Sequence, residues 1–298
     1  MGKSALAHAA ARTLGAEILS IDSMQVYRGM NIGTAKATPE ERSEVPYHLI
    51  DVLDPCESFS AARFVELADQ AVAAVHARGR PVVAVGGTTL YFKSFHEGLF
   101  EGPSADACIR EAIRNRIQHE GLEALHAELA RIDPVAAARI HRNDARRVER
   151  ALEVYQLTGR RISELQQQWE RSRLRRPDWR WTLIHLHRER DLLNRRINER
   201  VRQMRAAGLT VEARRIWDDP RGVSPQARQA VGYAELFDNF GGCWSEDEAY
   251  EQIKIHSRRL GKQQRTWLRR IPGAHLIDAG ERDAADFVQD VIVTAAKG

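Results

Sequence analysis

Glu17-Ile18-Leu19-Ser20-Ile21-Asp22-Ser23-Met24-Gln25-Val26-Tyr27 is the stretch on which the fold turns. Glu17 to Ile21 is apolar and β-rich, short enough to be a buried parallel strand, and it runs directly into a carboxylate. Upstream, Ser4 to Leu14 places apolar residues three and four apart, as one helix face does, and Ser60 to Arg78 repeats that spacing downstream. Further short apolar stretches at His48 to Val52, Pro81 to Val85 and Thr182 to His187 complete an alternation of strand and helix. Such alternation implies an α/β layer architecture built on a parallel sheet. In open α/β sheets ligands gather beyond the carboxyl ends of the strands, so Asp22 is a candidate general base. A turn cap by Asp22 or Ser23 is the competing structural reading.

The chain has 298 residues, of which 43% are hydrophobic and 29% charged, so one large or two modest domains with a true core are expected, and a disordered polymer is excluded. No uncharged apolar run approaches the roughly 18 residues of a membrane span. The opening Met1-Gly2-Lys3-Ser4-Ala5-Leu6 has neither a secretory apolar core nor a myristoylation pattern. Cys56, Cys108 and Cys243 stand far apart, which specifies neither a disulfide framework nor a zinc cluster. A soluble cytoplasmic protein, outside any membrane, is the expectation.

Residues from Ser104 to Trp169 differ from the rest: they are helical throughout, punctuated by Asp133-Pro134 and Thr158-Gly159, with no strand candidate. The expected organisation is a catalytic core of residues 1–103 and 180–298 interrupted by a helical insertion of residues 104–179. After the last strand, Asp191 to Ala207 and Ser245 to Arg270 read as amphipathic helices, the second opened by Ser245-Glu246-Asp247-Glu248. Charge divides unevenly as well: residues 1–138 sum to −5 and residues 139–298 to +9. The excess lies in Arg139 to Arg150, Arg160 to Arg176, Arg188 to Arg205 and Arg258 to Arg270, with Trp169, Trp179, Trp181 and Trp267 in or between the runs. Each run alone reads equally well as a solvated helix face. Four together point to a nucleic-acid partner.

Three glycine-bearing motifs could carry chemistry. Gly2-Lys3-Ser4 before a helix is the second half of G-x-x-x-x-G-K-[ST], in which Lys3 would neutralise phosphate oxygens, Ser4 would ligate Mg²⁺ and the helix N-terminus would attract the anion. Gly33-Thr34-Ala35-Lys36 follows the Asp22 segment. Val83-Ala84-Val85-Gly86-Gly87-Thr88 is a strand running into a glycine turn, where the backbone could approach a ligand and Thr88 offers a hydroxyl; a purely structural turn competes.

The ordered set Gly2 to Ser4, Ile21 to Lys36, Val85 to Phe92, Asp133 to Asp144, Arg147 to Tyr155, Gln229 to Tyr233 and Lys262 to Arg269 closely resembles the bacterial tRNA dimethylallyltransferase family over nearly the whole chain. The resemblance implies a P-loop NTPase-like parallel sheet with helices on both faces, plus an all-helical insertion for the tRNA anticodon stem-loop. It implies transfer of a dimethylallyl group from dimethylallyl diphosphate to N6 of adenosine-37, with pyrophosphate released. Asp22 takes the role of base, which at an ordinary aspartate pKa near 3.9 acts through placement more than basicity. Thr88 would line the channel, and Gly2, Lys3 and Ser4 would hold the diphosphate with Mg²⁺ as cofactor on Ser4. Contacts to tRNA would come from Asp22, Ser23, Met24, Gln25, Thr88 and Arg110. Further contacts are implied from Arg146, Arg147, Val148, Glu149 and Arg150; from Arg228, Gln229, Ala230, Val231, Gly232 and Tyr233; and from Lys262, Gln263, Gln264, Arg265, Thr266, Trp267, Leu268 and Arg269. The target base would leave its stack to enter the protein, and a monomer is expected.

The family opens with a strand and Gly-Pro-Thr-Ala-x-Gly-Lys-[ST], whereas here Met1 stands directly before Gly2. We expect the missing half to lie upstream of a start assigned too late or trimmed, and the chain as given to bind diphosphate weakly. A phosphoryl-transferring small-molecule kinase suits the same loop and layers, and an RNA-binding relative without transfer suits the shortened loop.

Overall fold

The computed structural model describes residues 2–99, 102–171, 179–269, 271, 273–282 and 284–297. The end of the second basic run, residues 172–176, and the side chain of Trp169 lie outside the described residues. The chain divides into two compact units, one of Met1–His96 with Asp178–Gly298 and one of Glu97–Pro177.

In the first unit, α1 (Lys3–Leu14) leads to β1 (Glu17–Ile21), α2 (Pro39–Glu44), β2 (Tyr47–His48), α3 (Ala61–Ala77), β3 (Val82–Gly86) and α4 (Thr89–Glu97). The three strands form a parallel sheet in the order β2-β1-β3, with Ile18 opposite Val83 and Ile21 opposite Gly86. Every residue of β1 is buried, as a central strand covered on both faces must be. Ala11 of α1 packs with Ile18, Val83 and Val85, while α3 also contacts β1 and β3 through a stripe that buries Phe64, Ala68, Val72 and Val75. Each such side chain withdrawn from water contributes about 1.5–3 kcal/mol.

The second unit is all helix: α5 (Ala107–Glu120), α6 (Leu122–Ile132), α7 (Pro134–Arg139), α8 (Ala145–Thr158) and α9 (Ile162–Arg171). Its core joins Ile113, Leu125, Leu129, Val148, Leu152 and Ile162. Asp133 caps α7 through Ala136 N at 2.9 Å, and Pro134 sits in the first turn, where its missing donor costs nothing.

The chain then returns to the first unit with β4 (Ile184–His187), α10 (Arg190–Ala206), α11 (Leu209–Trp217), α12 (Tyr233–Phe240), α13 (Glu246–Leu268), β5 (His275–Asp278) and α14 (Val288–Lys297). Ser245 and Glu248 form the reciprocal cap that opens α13.

The architecture is mixed α/β with small parallel sheets and a majority of helix, and it corrects the sequence reading in two places. The strand expected over His48 to Val52 stops at His48, because Leu49 and Asp51 turn with φ of 61° and 55°. Asp51 is held in that turn by Lys36 at 2.6 Å and Arg42 at 2.7 Å. The strand expected over Thr182 to His187 joins no common sheet. Its last four residues, β4, pair with β5 in a separate parallel pair, and β5 was not expected at all.

Candidate active site

A cleft of about 1110 Å³ opens in the first unit at the carboxyl end of β1. Its walls come from the N-terminus of α1 (Gly2, Lys3, Ser4), the segment after β1 (Asp22, Met24, Gln25), the loop from Asn31 to Thr38, and the facing sides of α10 and α13. Ile197, Val201 and Met204 of α10 with Ile253 and Leu260 of α13 give it an apolar flank. Lys3, Lys36, Arg42, Arg196 and Arg200 against Asp22 and Asp51 make its charge positive, which suits a polyanionic ligand.

Asp22 makes the local turn of the structural reading and also lines the cleft. Its Oδ1 accepts from Met24 N at 2.9 Å and Gln25 N at 3.4 Å, the local turn a short carboxylate side chain favours. Its Oδ2 takes no hydrogen bond among the described residues, and that oxygen remains available to a proton.

Gln25 fixes the neighbouring wall. Its Oε1 accepts from Ser20 Oγ at 2.8 Å, and its Nε2 donates to Thr34 O at 3.2 Å and Ala35 O at 3.4 Å. Ser23 and Thr88 are absent from the cleft lining, contrary to the expectation for Thr88. Thr88 works one layer back: its Oγ1 accepts from Ser23 N at 2.9 Å and donates to Ser23 Oγ at 3.2 Å, tying the end of β3 to the end of β1.

Lys3 lies beside Gly87, where a Cβ would fall 2.8 Å from its Nζ and 2.4 Å from Gln264 Nε2. A larger residue there would push the ends of both side chains aside, and Gln264 Nε2 donates to Gly87 O at 2.8 Å. Burial lowers the pKa of Lys3 from its ordinary value; Asp22 opposes that shift and Arg200 adds to it. Desolvation likewise lowers Arg200, which keeps exposed surface, and Asp22 again opposes the shift. An anion in the cleft would offset the repulsion between these cations.

Arg196 and Arg200 were visible in the sequence only as part of a long basic run. Their spacing of four on α10, on the flank shared by Ile197, Val201 and Met204, is the signal that would have picked them out.

Residues expected to meet RNA fall into distinct settings. In the second unit, Arg110 and Arg150 are engaged with the fully buried Glu153. Arg110 reaches it through Nε at 2.8 Å and Nη2 at 3.1 Å, and Arg150 through Nη1 at 2.6 Å, with Nη2 on Pro103 O at 2.8 Å. Glu149 pairs with Arg114 at 2.7 Å, and Val148 is core. Arg147 is exposed, with Asp144 at 3.0 Å beside it.

In the first unit, Arg228 lies over the Trp217 ring at 5.2 Å, and Tyr233 is fully buried, so its side chain offers nothing to a surface partner. Ala230, Val231 and Gln264 line the cleft. Along α13, Lys262, Gln263, Thr266 and Arg269 are exposed, while Trp267 packs edge-on against Phe92 at 6.0 Å.

Residues 25–271 match the family model described as IPP transferase. A tRNA dimethylallyltransferase of Geobacillus thermodenitrificans is 48% identical over 90% of this chain and 84% of its own length. The crystal structure of the full-length tRNA isopentenylpyrophosphate transferase from Bacillus halodurans is similar with a TM-score of 0.70 and 39% identity, covering 99% of this chain and 93% of that one. A eukaryotic dimethylallyltransferase, solved in crystallographic snapshots of its action on tRNA, shares the fold with a TM-score of 0.76 at 24% identity, over 98% of this chain and 77% of its own.

Proposed function

The chain belongs to the IPP transferase family, and from that premise we propose how it works as an enzyme that transfers a dimethylallyl group to tRNA. The donor is dimethylallyl diphosphate and the acceptor is N6 of adenosine-37 beside the anticodon. The bond from N6 to the prenyl C1 forms as the bond from C1 to the diphosphate oxygen breaks, the proton leaves N6, and pyrophosphate departs.

The observation that carries this reading is the shared cleft in which Asp22, with Oδ2 unengaged, faces the same space as Lys3 and Arg200. The exocyclic amine is a poor nucleophile because its lone pair is delocalised into the purine. A carboxylate placed to take the proton as the new bond forms therefore lowers the barrier. Lys3 and Arg200, on the same cleft, would stabilise the negative charge that gathers on the leaving group, and the positive end of α1 would add to them. The apolar flank from Ile197 to Met204 suits the prenyl chain and excludes water, which would otherwise compete for it.

We read Gly2-Lys3-Ser4 as the second half of a phosphate-binding loop and the first unit as P-loop NTPase-like. Mg²⁺ would be held by the Ser4 hydroxyl, which opens on the cleft at the N-terminus of α1, with phosphate and water oxygens completing the shell. When bound, Mg²⁺ supplies charge neutralisation on the departing diphosphate. The helices α5–α9 would take the anticodon stem-loop. No helix among the described residues is long and apolar enough to cross a membrane, and we place the enzyme in the cytoplasm as a monomer.

The test is incubation of purified protein with unmodified tRNA and labelled dimethylallyl diphosphate without ATP. Label on adenosine-37 is expected. Binding of tRNA with no transfer would favour the RNA-binding alternative, and a requirement for ATP would restore the kinase.

A further inference from the structure

The loop after Met30 carries Asn31 to Lys36 along one wall of the cleft, yet it has no regular secondary structure to hold it. Three successive backbone amides in it point the same way and are received by one carboxylate. Glu212, on α11, accepts from Asn31 N at 3.0 Å, from Ile32 N at 2.9 Å and from Gly33 N at 3.3 Å. Concave arrays of consecutive amides bind anions, and in a cleft of positive charge such an array would compete for a diphosphate. Here an internal carboxylate fills it. Tyr233, fully buried at the start of α12, completes the clamp: its hydroxyl donates to Glu212 Oε1 at 2.5 Å and accepts from Gly33 N at 3.2 Å. Burial and the adjacent carboxylate raise the Tyr233 pKa, which keeps the phenol protonated and able to donate.

Contact with the ring is equally close. A Cβ on residue 33 would fall 2.4 Å from Tyr233 Cε2, so glycine at this position lets the loop lie close against the hydroxyl end of the ring. The clamp is transmitted onward, because Thr34 O and Ala35 O in the same loop receive Gln25 Nε2, and Gln25 N is itself bound to Asp22 Oδ1. Hydrogen bonds and the short stretches of chain between them therefore link α11 to the carboxylate at the end of β1.

We propose that Glu212 and Tyr233 are positioning residues for the transfer reaction, which hold the loop from Asn31 to Lys36 against the cleft and thereby set the orientation of Asp22. They touch no reacting atom and act through the loop and Gln25. The inference rests on the transfer reading above, and wild-type turnover is the control that separates the two: absence of label transfer by the wild type sinks that reading, whereas the clamp is judged only from variants of an active protein.

The experiment compares Glu212→Gln, Tyr233→Phe and Gly33→Ala with the wild type in steady-state transfer, corrected for the folded fraction, alongside the melting temperature of each. Misplacement of reacting groups by an ångström costs up to about 100-fold, so kcat is expected to fall by about 10- to 100-fold in Glu212→Gln and Gly33→Ala, with KM for tRNA changed less than about twofold. Tyr233→Phe, which keeps the ring and all three loop amide contacts to Glu212 but loses the hydroxyl's bonds to Glu212 and Gly33 N, is expected to lose about 3- to 10-fold on the same scale. Gly33→Ala displaces the loop while leaving the Glu212 carboxylate itself in place, so its agreement with Glu212→Gln tests the loop as the carrier. Wild-type kcat per folded molecule in Glu212→Gln or in Gly33→Ala overturns the proposal, as does a loss that appears wholly in KM or wholly as unfolded protein.

Discussion

Two carboxylates stand at opposite ends of β1, and their surroundings could hardly differ more. Glu17, at the amino end, is buried and saturated: Arg78 grips it with Nε at 3.1 Å and Nη2 at 2.7 Å, His48 Nε2 lies at 2.7 Å, and Arg80 approaches to 3.6 Å. Asp22, just past the carboxyl end, keeps one oxygen on its own turn and presents the other to a cleft of cations that do not close on it. Neither Lys3 nor Arg200 forms an ion pair with it among the described residues, although both respond to its charge. The lesson is that charge alone does not mark a catalytic carboxylate. Unspent hydrogen-bonding capacity at a position open to ligand makes a carboxylate a catalytic candidate, whereas a saturated group of the same chemistry a few residues away is architecture.

The sharpest way to break the comparison is to remove each carboxylate in turn. Asp22→Ala should lower turnover by about 10²- to 10⁴-fold, the range for loss of a general base, while tRNA affinity measured by filter binding stays within about twofold. Unchanged turnover would take Asp22 out of the mechanism and leave its turn as its whole purpose. Glu17→Gln should do the reverse. Leaving Arg78 and His48 without their anion is expected to cost about 1–3 kcal/mol of stability in chemical denaturation, with turnover per folded molecule unaltered. A loss of turnover at full stability would mean that the amino end of β1 reaches the chemistry.

Acid sharpens the same contrast. The hydrogen bond from Arg78, opposed by desolvation and aided by His48, holds the Glu17 carboxyl below its ordinary value of 4.5. A carboxylate with a depressed folded-state pKa contributes stability that is complete above the unfolded value and lost as pH falls through the folded one. The stability gap between wild type and Glu17→Gln should therefore be constant from neutral pH down to about 4.5 and shrink below it. A gap that persists in strong acid would show that packing, not charge, is what Glu17 supplies.

How much of this was legible in the sequence follows from how local each signal is. The strand at Glu17 to Ile21 and the helix caps at Ser245 and Asp133 depend on neighbours in the chain, and the structure has them where the pattern lies. Asp22 was legible because a carboxylate at a strand end is a local event. What was hidden is long-range. Asp51 breaks the run from His48 to Val52 because Lys36 of the preceding loop and Arg42 of α2 reward a turn over a strand. β5, partner of β4, is four residues with little apolar alternation, and only its neighbour makes it a strand. Glu212 sits in an ordinary amphipathic helix, and its partners at residues 31–33 lie far back along the chain. No local pattern identifies that carboxylate. Tyr233 and Val148 belong to motifs shared with the family, yet both are buried, so a family motif marks a segment without saying which side chains face outward.

A third carboxylate extends the comparison to the second unit and yields the smallest expected effect. Glu153 is fully buried and saturated like Glu17, and it is Arg110 and Arg150 that saturate it. Arg147, one turn away from Arg150 on the same helix, is exposed and pairs at short range with Asp144. Two guanidiniums from one basic run thus have different occupations. Arg150→Ala should lower the melting temperature of the protein, because a buried carboxylate loses one of its two cations, and the salt dependence of tRNA binding should change little. Arg147→Ala should leave the melting temperature within experimental scatter, since exposed pairs contribute little, but reduce the slope of log affinity against log salt by roughly one. Equal slopes for wild type and Arg147→Ala would place this helix off the RNA surface. A slope reduced instead by Arg150→Ala, at unchanged stability, would mean that saturation by a buried carboxylate does not withdraw an arginine from its partner.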